Sequence, residues 1–595
     1  MSVLFEPVDA YDRDLALTAP PALAAVNAAG VITAADVHIA TTLGQLGGEG
    51  DPSVLLAIAL TSRAVRHGSV CLELADVATQ LGDLDLPWPE LDAWSAAIGR
   101  SPLLGLGVLH WEHGLLYLDR YHEQETQVLD DLTSRARSTP PTDAALLAAS
   151  LTRVFPDPGY DEQRAACTHA ASQWTTVITG GPGTGKTTAV AGLLVALHEQ
   201  AEARGDHLRI AMAAPTGKAA ARLEQAVRDN ARAFDETDKA RLAGVSAMTL
   251  HRLLRTHPGN RTRFRHHRGN RLPHDLVVVD ETSMVSLTMM ARLLEAVRPD
   301  ARLVFVGDPD QLSSVDAGAV LTDLVRGFEG RADSPVAALH RTHRYGDEIR
   351  VLAEALRVGD ADAAIAALRA GREHVEWVTD PDPASAIRAT ALPAALAVRD
   401  AAAAGNGAKA LAALDRHRLL CAHRDGPFGV RHWNRRIEQW LTQETGDPLH
   451  DTAYLGRPVL VTANDYTLGI FNGDTGVVVD TPAGRRVAVA TSSSALDGVL
   501  SLAPSRLGDV ETLHAMTIHK SQGSQADVVT VLLPDEESRL LTRELFYTAV
   551  TRARTKVRVI GPEAAVRAAI ARQAQRASGL RARLADGNTG ATPRR

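Results

Sequence analysis

The sequence predicts an α/β protein with parallel sheets covered by helices, a helical N-terminal region and a small β insertion. From Val177 onward, β-branched runs such as "DLVVVDE" and "RLVFVGD" alternate with helical stretches, which is typical of parallel sheets buried on both faces. Residues 1–150 instead form Ala- and Leu-rich segments such as "PSVLLAIALTSRAV", apolar at helical spacing. Asn-Gly and Ala-Gly turn signals within residues 456–505 indicate a β-module.

Length and composition restrict the class of protein. A chain of 595 residues suggests about four domains, and its net charge of −8 provides no global attraction for nucleic acid, which would have to come from local basic clusters. Cys71, Cys167 and Cys421 lie far apart with no Cys-x-x-Cys pair, which argues against a disulfide framework, a zinc ribbon or an iron–sulfur cluster. The N-terminus lacks a signal peptide, and no apolar run approaches the ~20 residues of a membrane span. We therefore expect a soluble, cytoplasmic protein.

Residues 177–190, "VITGGPGTGKTTAV", match the pattern G-x-x-x-x-G-K-[ST] between a predicted strand and a predicted helix. The glycines allow backbone N–H groups to converge on phosphate oxygens, Lys186 reaches the β- and γ-phosphates, and Thr187 is expected to bind Mg²⁺. A glycine-rich turn with a surface lysine is the alternative. The expected ATP-binding residues are Gly180, Gly181, Pro182, Gly183, Thr184, Gly185, Lys186, Thr187 and Thr188.

Polar residues follow the next two predicted strands. After "LVVV", Asp280 is expected to hold Mg²⁺ and Glu281 to orient or deprotonate the attacking water. The strand "RLVFVGD" leads to Gln311, whose amide would lie near the γ-phosphate and distinguish ATP from ADP. The alternatives are a surface Asp-Glu pair and a proline-containing turn. With Lys186, these residues predict a site for ATP hydrolysis.

Six segments carry a family resemblance. "GGPGTGKTT", "APTGKAAARL", "VVVDETSM", "VGDPDQL", "TIHKSQGSQ" and "ELFYTAVTRAR" resemble, in order, motifs I, Ia, II, III, V and VI of superfamily 1 helicases, of the 1B class. The resemblance implies two RecA-like motor domains that use ATP and Mg²⁺. It also implies that Gln163 reads the adenine and that Arg344 and Arg552 are arginine fingers of the second motor domain, although each arginine could instead form a surface salt bridge. Gln525 replaces the glutamate usual in the family.

The same resemblance implies contacts with one DNA strand from motif Ia, from "AMTLHRL" and from motif V. The expected contacts with the strand's backbone are Thr216, Lys218, Thr249, His251, His519 and Gln522. Either histidine could instead be structural. Residues 255–271 contain six arginines, three histidines and no acid, where such helicases carry a small hairpin near the duplex junction. We expect Arg263 and Arg265 to face DNA, a solvated hairpin being the alternative.

Two further stretches, "RLLCAHRDGPFGVRHWNRRIEQWL" and "GSVCLELADV", resemble the RecD family, the alpha subunits of exodeoxyribonuclease V. This resemblance implies a 5′→3′ single-strand DNA motor in a heterotrimer with RecB and RecC, which processes double-strand ends for recombinational repair. No acidic cluster remains for a nuclease outside the motor motifs, so we expect the nuclease site on the partner beta subunit. The alternatives are a standalone RecD-like helicase, whose usual Gly-x-Gly repeats are not found before Val177, a non-catalytic scaffold and an NTP-dependent switch.

These observations divide the chain into four parts. The expected parts are a helical docking domain (1–150), a first motor domain (151–335) with a basic insertion (about 255–275), a second motor domain (336–575) with an SH3-like β insertion (about 456–505), and a flexible basic tail (576–595). The alternative for the first part is an accessory fold that packs only on its own motor.

Overall fold

A computed structural model describes residues 5, 9, 11–81, 84, 86, 88–257, 260–342, 347–380, 382–447, 451–465, 467–490, 498–538 and 540–585. Two of the sheets in these residues are entirely parallel, and helices cover both of their faces. The predicted α/β class is therefore confirmed. None of the described helices combines the length and the apolar character needed to cross a bilayer.

The N-terminal region packs around one buried helix. Its third helix begins with Pro52, whose preceding residue Asp51 accepts a hydrogen bond from the N–H of Ser53, and almost every apolar side chain of this helix is buried. The strands form an antiparallel sheet in the order β1-β3-β2. The elements are α1 (Pro21–Ala28), α2 (Ala34–Gly47), α3 (Pro52–Arg66), β1 (Leu72–Glu73), α4 (Leu74–Leu81), α5 (Leu91–Gly99), α6 (Pro102–Gly105), β2 (Leu109–Glu112), β3 (Leu115–Leu118), α7 (Asp119–Ala136) and α8 (Ala144–Val154).

The first lobe contains a parallel sheet in the order β11-β4-β10-β9-β5-β6. The strand "LVVV" is buried along its whole length, as expected for a strand covered on both faces. The elements are α9 (Asp161–Ala171), β4 (Thr175–Gly180), α10 (Lys186–Ala203), β5 (Ile210–Ala214), α11 (Gly217–Ala231), α12 (Glu236–Leu242), β6 (Ala247–Thr249), α13 (Leu250–Leu254), β7 (Thr256–His257), β8 (Asn260–Phe264), β9 (Leu276–Val279), α14 (Leu287–Ala296), β10 (Arg302–Gly307), α15 (Val320–Gly327) and β11 (Val336–Leu339).

The second lobe contains a parallel sheet, β12-β21-β20-β13-β19, and an antiparallel sheet, β17-β16-β15-β14-β18. The elements are α16 (Asp347–Val358), α17 (Ala361–Arg369), β12 (Val375–Val378), α18 (Pro383–Ala403), α19 (Gly407–Leu414), β13 (His417–Cys421), α20 (Val430–Thr445), β14 (Pro458–Val461), β15 (Thr475–Thr481), β16 (Gly484–Ala490), β17 (Val499–Leu502), β18 (Val510–Thr512), β19 (Ala515–Thr517), β20 (Ala526–Leu532), α21 (Arg543–Val550), β21 (Ala553–Ile560) and α22 (Glu563–Ala571). The chain then continues into α23 (Leu580–Ala585). The β insertion extends past the expected residue 505, because β18 pairs with β14.

The N-terminal unit ends earlier than the expected residue 150. Helix α7 packs its apolar side chains, among them Val128 and Leu129, into the core of the first lobe against α14. The Arg135 guanidinium at the end of this helix donates to the carbonyl oxygens of Trp174 (2.8 Å) and Arg298 (2.9 Å). Helix α8 packs in the same way on α10. Both helices thus belong to the first lobe, because their apolar faces complete its core.

Residues 576–585, which we call the C-terminal segment, are not the flexible tail that was expected. Leu580 and Leu584 of α23 are 1% and 3% exposed, and α23 packs against α15 of the first lobe. The N–H of Val70 donates to the carbonyl oxygen of Ala577 (2.8 Å). Burial of two leucines and pairing of the backbone explain the order of this segment. The remainder of the predicted tail, residues 586–595, lies outside the described residues.

Candidate nucleotide and DNA site

The glycine-rich loop between β4 and α10 has the backbone of a phosphate cradle. Gly183 and Gly185 have φ angles of 85° and 81°, which favour glycine, and a Cβ atom at Gly185 would lie 2.8 Å from Nε2 of Gln163. Lys186 Nζ donates to the carbonyl oxygens of Gly180 (2.5 Å) and Gly181 (2.9 Å). Burial lowers the pKa of Lys186, while the carboxylates of Asp308 and Asp280 raise it. The lysine therefore lies at the loop, opposite acidic groups.

This loop lines a cleft of about 310 Å³ to which both lobes contribute side chains. Ten of the expected site residues line it: Pro182, Gly183, Gly185, Lys186, Thr187, Thr188, Asp280, Glu281, Gln311 and Arg552. Gly180 and Gly181 provide the carbonyl groups behind Lys186, and Thr184 is buried with its hydroxyl donating to Gly181 (2.9 Å). The structure thus brings the predicted ATP-site residues of four motifs together.

Gln163 occupies a different position from the one expected for an adenine ligand. Its side chain is fully buried, and Nε2 donates to the carbonyl oxygen of Thr184 at 2.8 Å. Oε1 has no hydrogen-bond partner among the described residues. Gln163 therefore supports the glycine-rich loop through its bond to Thr184 and does not line the cleft. Tyr160, three residues earlier, does line it.

The two carboxylates predicted after β9 lie side by side in the cleft. Burial, followed by the charge of Glu281, raises the pKa of Asp280 to about 6, and Lys186 and Arg222 oppose this shift. Glu281, the second residue after the end of β9, has a φ of 50°, which non-glycine residues adopt rarely. A backbone conformation of this kind is common where a side chain must be aimed into a site.

A chain of hydrogen bonds crosses from the first lobe to the second at the cleft. Tyr547 donates its hydroxyl to Oδ2 of Asp308 (3.0 Å), and Gln311 Nε2 donates to the same oxygen (2.9 Å). Arg552 Nη2 donates to Oε1 of Gln311 (2.7 Å), and all four of these side chains of motifs III and VI are buried. The amide predicted to sense the nucleotide therefore contacts the predicted arginine finger directly.

One face of helix α11 also lines the cleft, and the sequence interpretation did not include it. The residues on this face are Ala219, Arg222, Leu223, Ala226 and Asn230. Their spacing of three, four, seven and eleven residues from Ala219 marks one face of a helix, so helical periodicity applied to "GKAAARLEQAVRDN" could have found them. Gln525, which replaces the glutamate usual in the family, lines the cleft as well.

Several expected DNA contacts have partners within the protein. The hydroxyls of Thr216 and Thr249 accept the N–H groups that begin α11 and α13, at 3.2 Å each. Gln522 is buried and donates to the carbonyl oxygen of Leu312 in the first lobe (2.8 Å). Burial, with the charge of Arg418, lowers the pKa of Lys218 to about 8. Gln522 therefore forms a contact between the lobes, and the two threonines cap helices.

The basic insertion forms a hairpin of β7 and β8 that stands beside α7. Arg263 and Arg265 are exposed, whereas Arg268 forms an ion pair with Asp131 of α7 at 2.9 Å. The ring of His251 lies 5.8 Å from that of Phe264 in the hairpin.

Burial lowers the pKa of His519 in the second lobe. The predicted finger Arg344 lies outside the described residues.

The donor set at the cleft fits a magnesium ion. The Thr187 hydroxyl and the Asp280 carboxylate are hard oxygen ligands, and a cation beside them would offset the burial and the charge of Glu281 that raise the pKa of Asp280. Within the described part of the chain, no group of three or more His, Cys, Asp or Glu side chains is arranged to hold a metal ion. An ion here would therefore take most of its ligands from nucleotide and water.

Comparisons with known proteins agree with this geometry. Residues 159–380 match the family model of an AAA domain, residues 512–560 a UvrD-like helicase C-terminal domain, and residues 28–117 the N-terminal domain of RecBCD enzyme subunit RecD. RecBCD enzyme subunit RecD of Mycobacterium tuberculosis (strain CDC 1551 / Oshkosh) is 58% identical over 96% of this chain and 98% of the relative.

Two other relatives extend the comparison. RecBCD enzyme subunit RecD of Mycolicibacterium smegmatis is 58% identical over 93% of this chain and 98% of the relative. The ATP-dependent RecD2 DNA helicase of Deinococcus radiodurans is 32% identical over 80% of this chain, but over only 59% of the relative. The order of the helicase motifs, the cleft that they form and these identities agree, and the chain belongs to the RecD family of helicases.

Proposed function

We propose that this helicase hydrolyses ATP in the cleft between its lobes to move 5′→3′ along single-stranded DNA, as one subunit of a heterotrimer with RecB and RecC that processes double-strand ends for recombinational repair. The observation that carries the proposal is the hydrogen-bonded chain from Asp308 through Gln311 to Arg552, because it links the nucleotide cleft of one lobe to the other lobe. The polarity follows from the family resemblance alone.

In this proposal each residue of the cleft has a distinct role. The glycine-rich loop and Lys186 bind the β- and γ-phosphates, and Glu281 orients the attacking water and accepts its proton. Thr187 and Asp280 would hold Mg²⁺, which neutralises phosphate charge when bound. Gln311 and Arg552 then report the state of the γ-phosphate to the second lobe, because a change at one of them alters the hydrogen bond between them.

The same contacts connect the cleft to the expected DNA path. Leu312 follows Gln311 directly. Its N–H donates to the Thr548 hydroxyl (3.0 Å), and its carbonyl oxygen accepts from Gln522 (2.8 Å). Movement of the lobes would therefore shift motif V relative to Thr216 and Lys218 of the first lobe. Sequence-independent contacts with the strand's backbone suit a motor that must advance over any sequence.

The N-terminal region supports the assembly with other subunits. Of the nine exposed large apolar side chains in the described residues, six lie in this region, including Leu46 at 81% and Leu106 at 62% exposed. Exposed apolar side chains concentrated in one region favour a docking surface. A standalone helicase similar to RecD2 is the second candidate, but this chain covers only 59% of that relative. Co-purification from native cells tests the assembly, since elution alone at the 63.4 kDa of one chain would contradict it.

Two substitutions test the ATPase assignment. Lys186→Gln should abolish DNA-stimulated ATP hydrolysis and leave the melting temperature nearly unchanged, because the lysine contacts loop carbonyl groups and lies outside the hydrophobic core. Glu281→Gln should still bind ATP, measured by equilibrium binding of a fluorescent ATP analogue, but should not turn it over. An ATPase rate within a few-fold of wild type for either variant would refute the assignment of that residue.

A further inference from the structure

The C-terminal segment returns from the second lobe and is held firmly on the first. The Ser578 hydroxyl and the Gly579 N–H both donate to Oε1 of Glu125 in α7, at 2.6 and 3.2 Å. The Ala577 N–H donates to the Ser69 hydroxyl at 3.2 Å. Together with the buried leucines of α23, these bonds fix the backbone that carries Arg576.

The Arg576 side chain is held against backbone and forms no ion pair with a described carboxylate. Nη1 donates to the carbonyl oxygen of Asp316 at 3.0 Å, and a Cβ atom on Gly68 would lie 2.8 Å from the guanidinium. The N–H of Gly318 donates to the carbonyl oxygen of Gly68 at 2.9 Å, which holds Gly68 beside the guanidinium. No described carboxylate lies within ion-pairing distance of Arg576; burial lowers its pKa and the charge of Asp316 opposes that shift, so the protein compensates the charge of this arginine only in part.

The loop that Arg576 contacts, residues 312–318, begins at the contact between the lobes. Its first residue, Leu312, accepts the hydrogen bond from Gln522 of motif V, and Val315 in its middle is 76% exposed. Burial lowers the pKa of His251 and of His519; the Asp316 carboxylate opposes the shift at His251, and the charge of Arg576 adds to the shift at His519. Through its hydrogen bond to Asp316, Arg576 therefore contacts the same loop that Gln522 of motif V contacts from the second lobe.

We propose that Arg576 binds a phosphate group of single-stranded DNA beside the contact between the lobes, so that the C-terminal segment supplies a strand contact which none of the helicase motifs contains. The inference rests on the proposed movement along single-stranded DNA. A guanidinium that is already positioned by a backbone carbonyl loses little conformational freedom on binding, which favours contact with a phosphate.

The test measures the salt dependence of binding of a fluorescein-labelled oligo-dT strand to the full chain, since oligo-dT reports contacts with the backbone. Each phosphate contact on a single strand contributes about 0.7 to the slope of log affinity against log salt concentration. Arg576→Gln should lose that amount, so that lowering NaCl fourfold strengthens its binding about 2.6-fold less than that of wild type. Arg581→Gln removes the same charge from an exposed position of the same segment and should retain the wild-type slope.

The other outcomes each have one meaning. Arg576→Lys keeps the charge and should keep most of the slope. If Arg576→Gln lowers the melting temperature while its slope equals that of Arg581→Gln, Arg576 is a structural contact and the proposal is refuted. If wild-type protein binds oligo-dT with no salt dependence, both this inference and the proposed single-strand motor are wrong. If wild type shows the slope and Arg576→Gln retains it, only this inference is wrong.

Discussion

Replacing Tyr547 with phenylalanine removes one hydroxyl group from the contact between the lobes and leaves the ring in place. The lost bond is 3.0 Å long, is buried, and ends on the carboxylate of Asp308, which keeps its bonds from Gln311 and from the N–H of Asp310. A hydrogen bond to a charged group contributes about 1.5–3 kcal/mol. Since the bond joins the two lobes, its loss should disfavour this arrangement of the lobes about 10- to 150-fold.

The assay is steady-state ATP hydrolysis with saturating single-stranded DNA. We expect Tyr547→Phe to lower kcat/KM for ATP by about tenfold or more, because the cleft needs residues of both lobes. Tyr454→Phe is the matched control, since this buried hydroxyl donates to Glu438 (3.0 Å) within the second lobe. It should lower the melting temperature and leave kcat/KM for ATP unchanged.

A double-mutant cycle identifies the bond itself. Asp308→Asn and Tyr547→Phe should be less harmful together than the sum of their separate effects, because each removes the same interaction. Rates for Tyr547→Phe within twofold of wild type, or strictly additive effects in the cycle, would refute the reasoning that this bond stabilises the working arrangement of the lobes.

Two further predictions concern the hairpin and Asp323, a half-buried acid of α15. Replacing Arg263 and Arg265 with glutamine should lower the salt slope of forked-DNA binding by up to about 1.8, measured by anisotropy, whereas Arg268→Gln should not, because Arg268 is paired with Asp131. Burial and the charge of Glu125 raise the pKa of Asp323 to about 7. Because the folded protein then binds this proton more tightly than the unfolded chain, the free energy of unfolding falls as the pH rises from about 4 to about 7, and Asp323 has no further effect on it above that. Asp323→Asn should therefore raise the melting temperature relative to wild type more at pH 8 than at pH 5, with exposed Asp130→Asn as the control; equal shifts at the two pH values would contradict the pKa assignment.

The ATP site was predictable because its signals are local. The glycines and Lys186 lie in one loop between a strand and a helix, and buried strands such as "LVVV" are apolar along their whole length. The carboxyl ends of neighbouring parallel strands share one edge of a sheet, which brings Asp280 and Gln311 to the same cleft. The fold class follows from the same alternation of strands and helices.

The parts that sequence reasoning missed depend on contacts between distant residues. Helix α23 has only six residues, too few to show a periodic face, and nothing in its composition indicates that it would pack on α15. Gln522 belongs to a motif expected to touch DNA, but its partner Leu312 lies 210 residues earlier. The early end of the N-terminal unit was missed because α7 is amphipathic whichever domain it completes.

The position of the C-terminal segment has a consequence for biosynthesis. Ala577 bonds to Ser69, 508 residues earlier, so the first lobe and the N-terminal region cannot be completed until nearly the whole chain has left the ribosome. Until then, the surface of α15 that later covers Leu580 and Leu584 stays exposed, while the second lobe is being synthesised and folded. Contacts of such long sequence separation form slowly. A nascent chain stalled before residue 576 should therefore be more sensitive to proteolysis in its first lobe than the released protein, although the first lobe was made first.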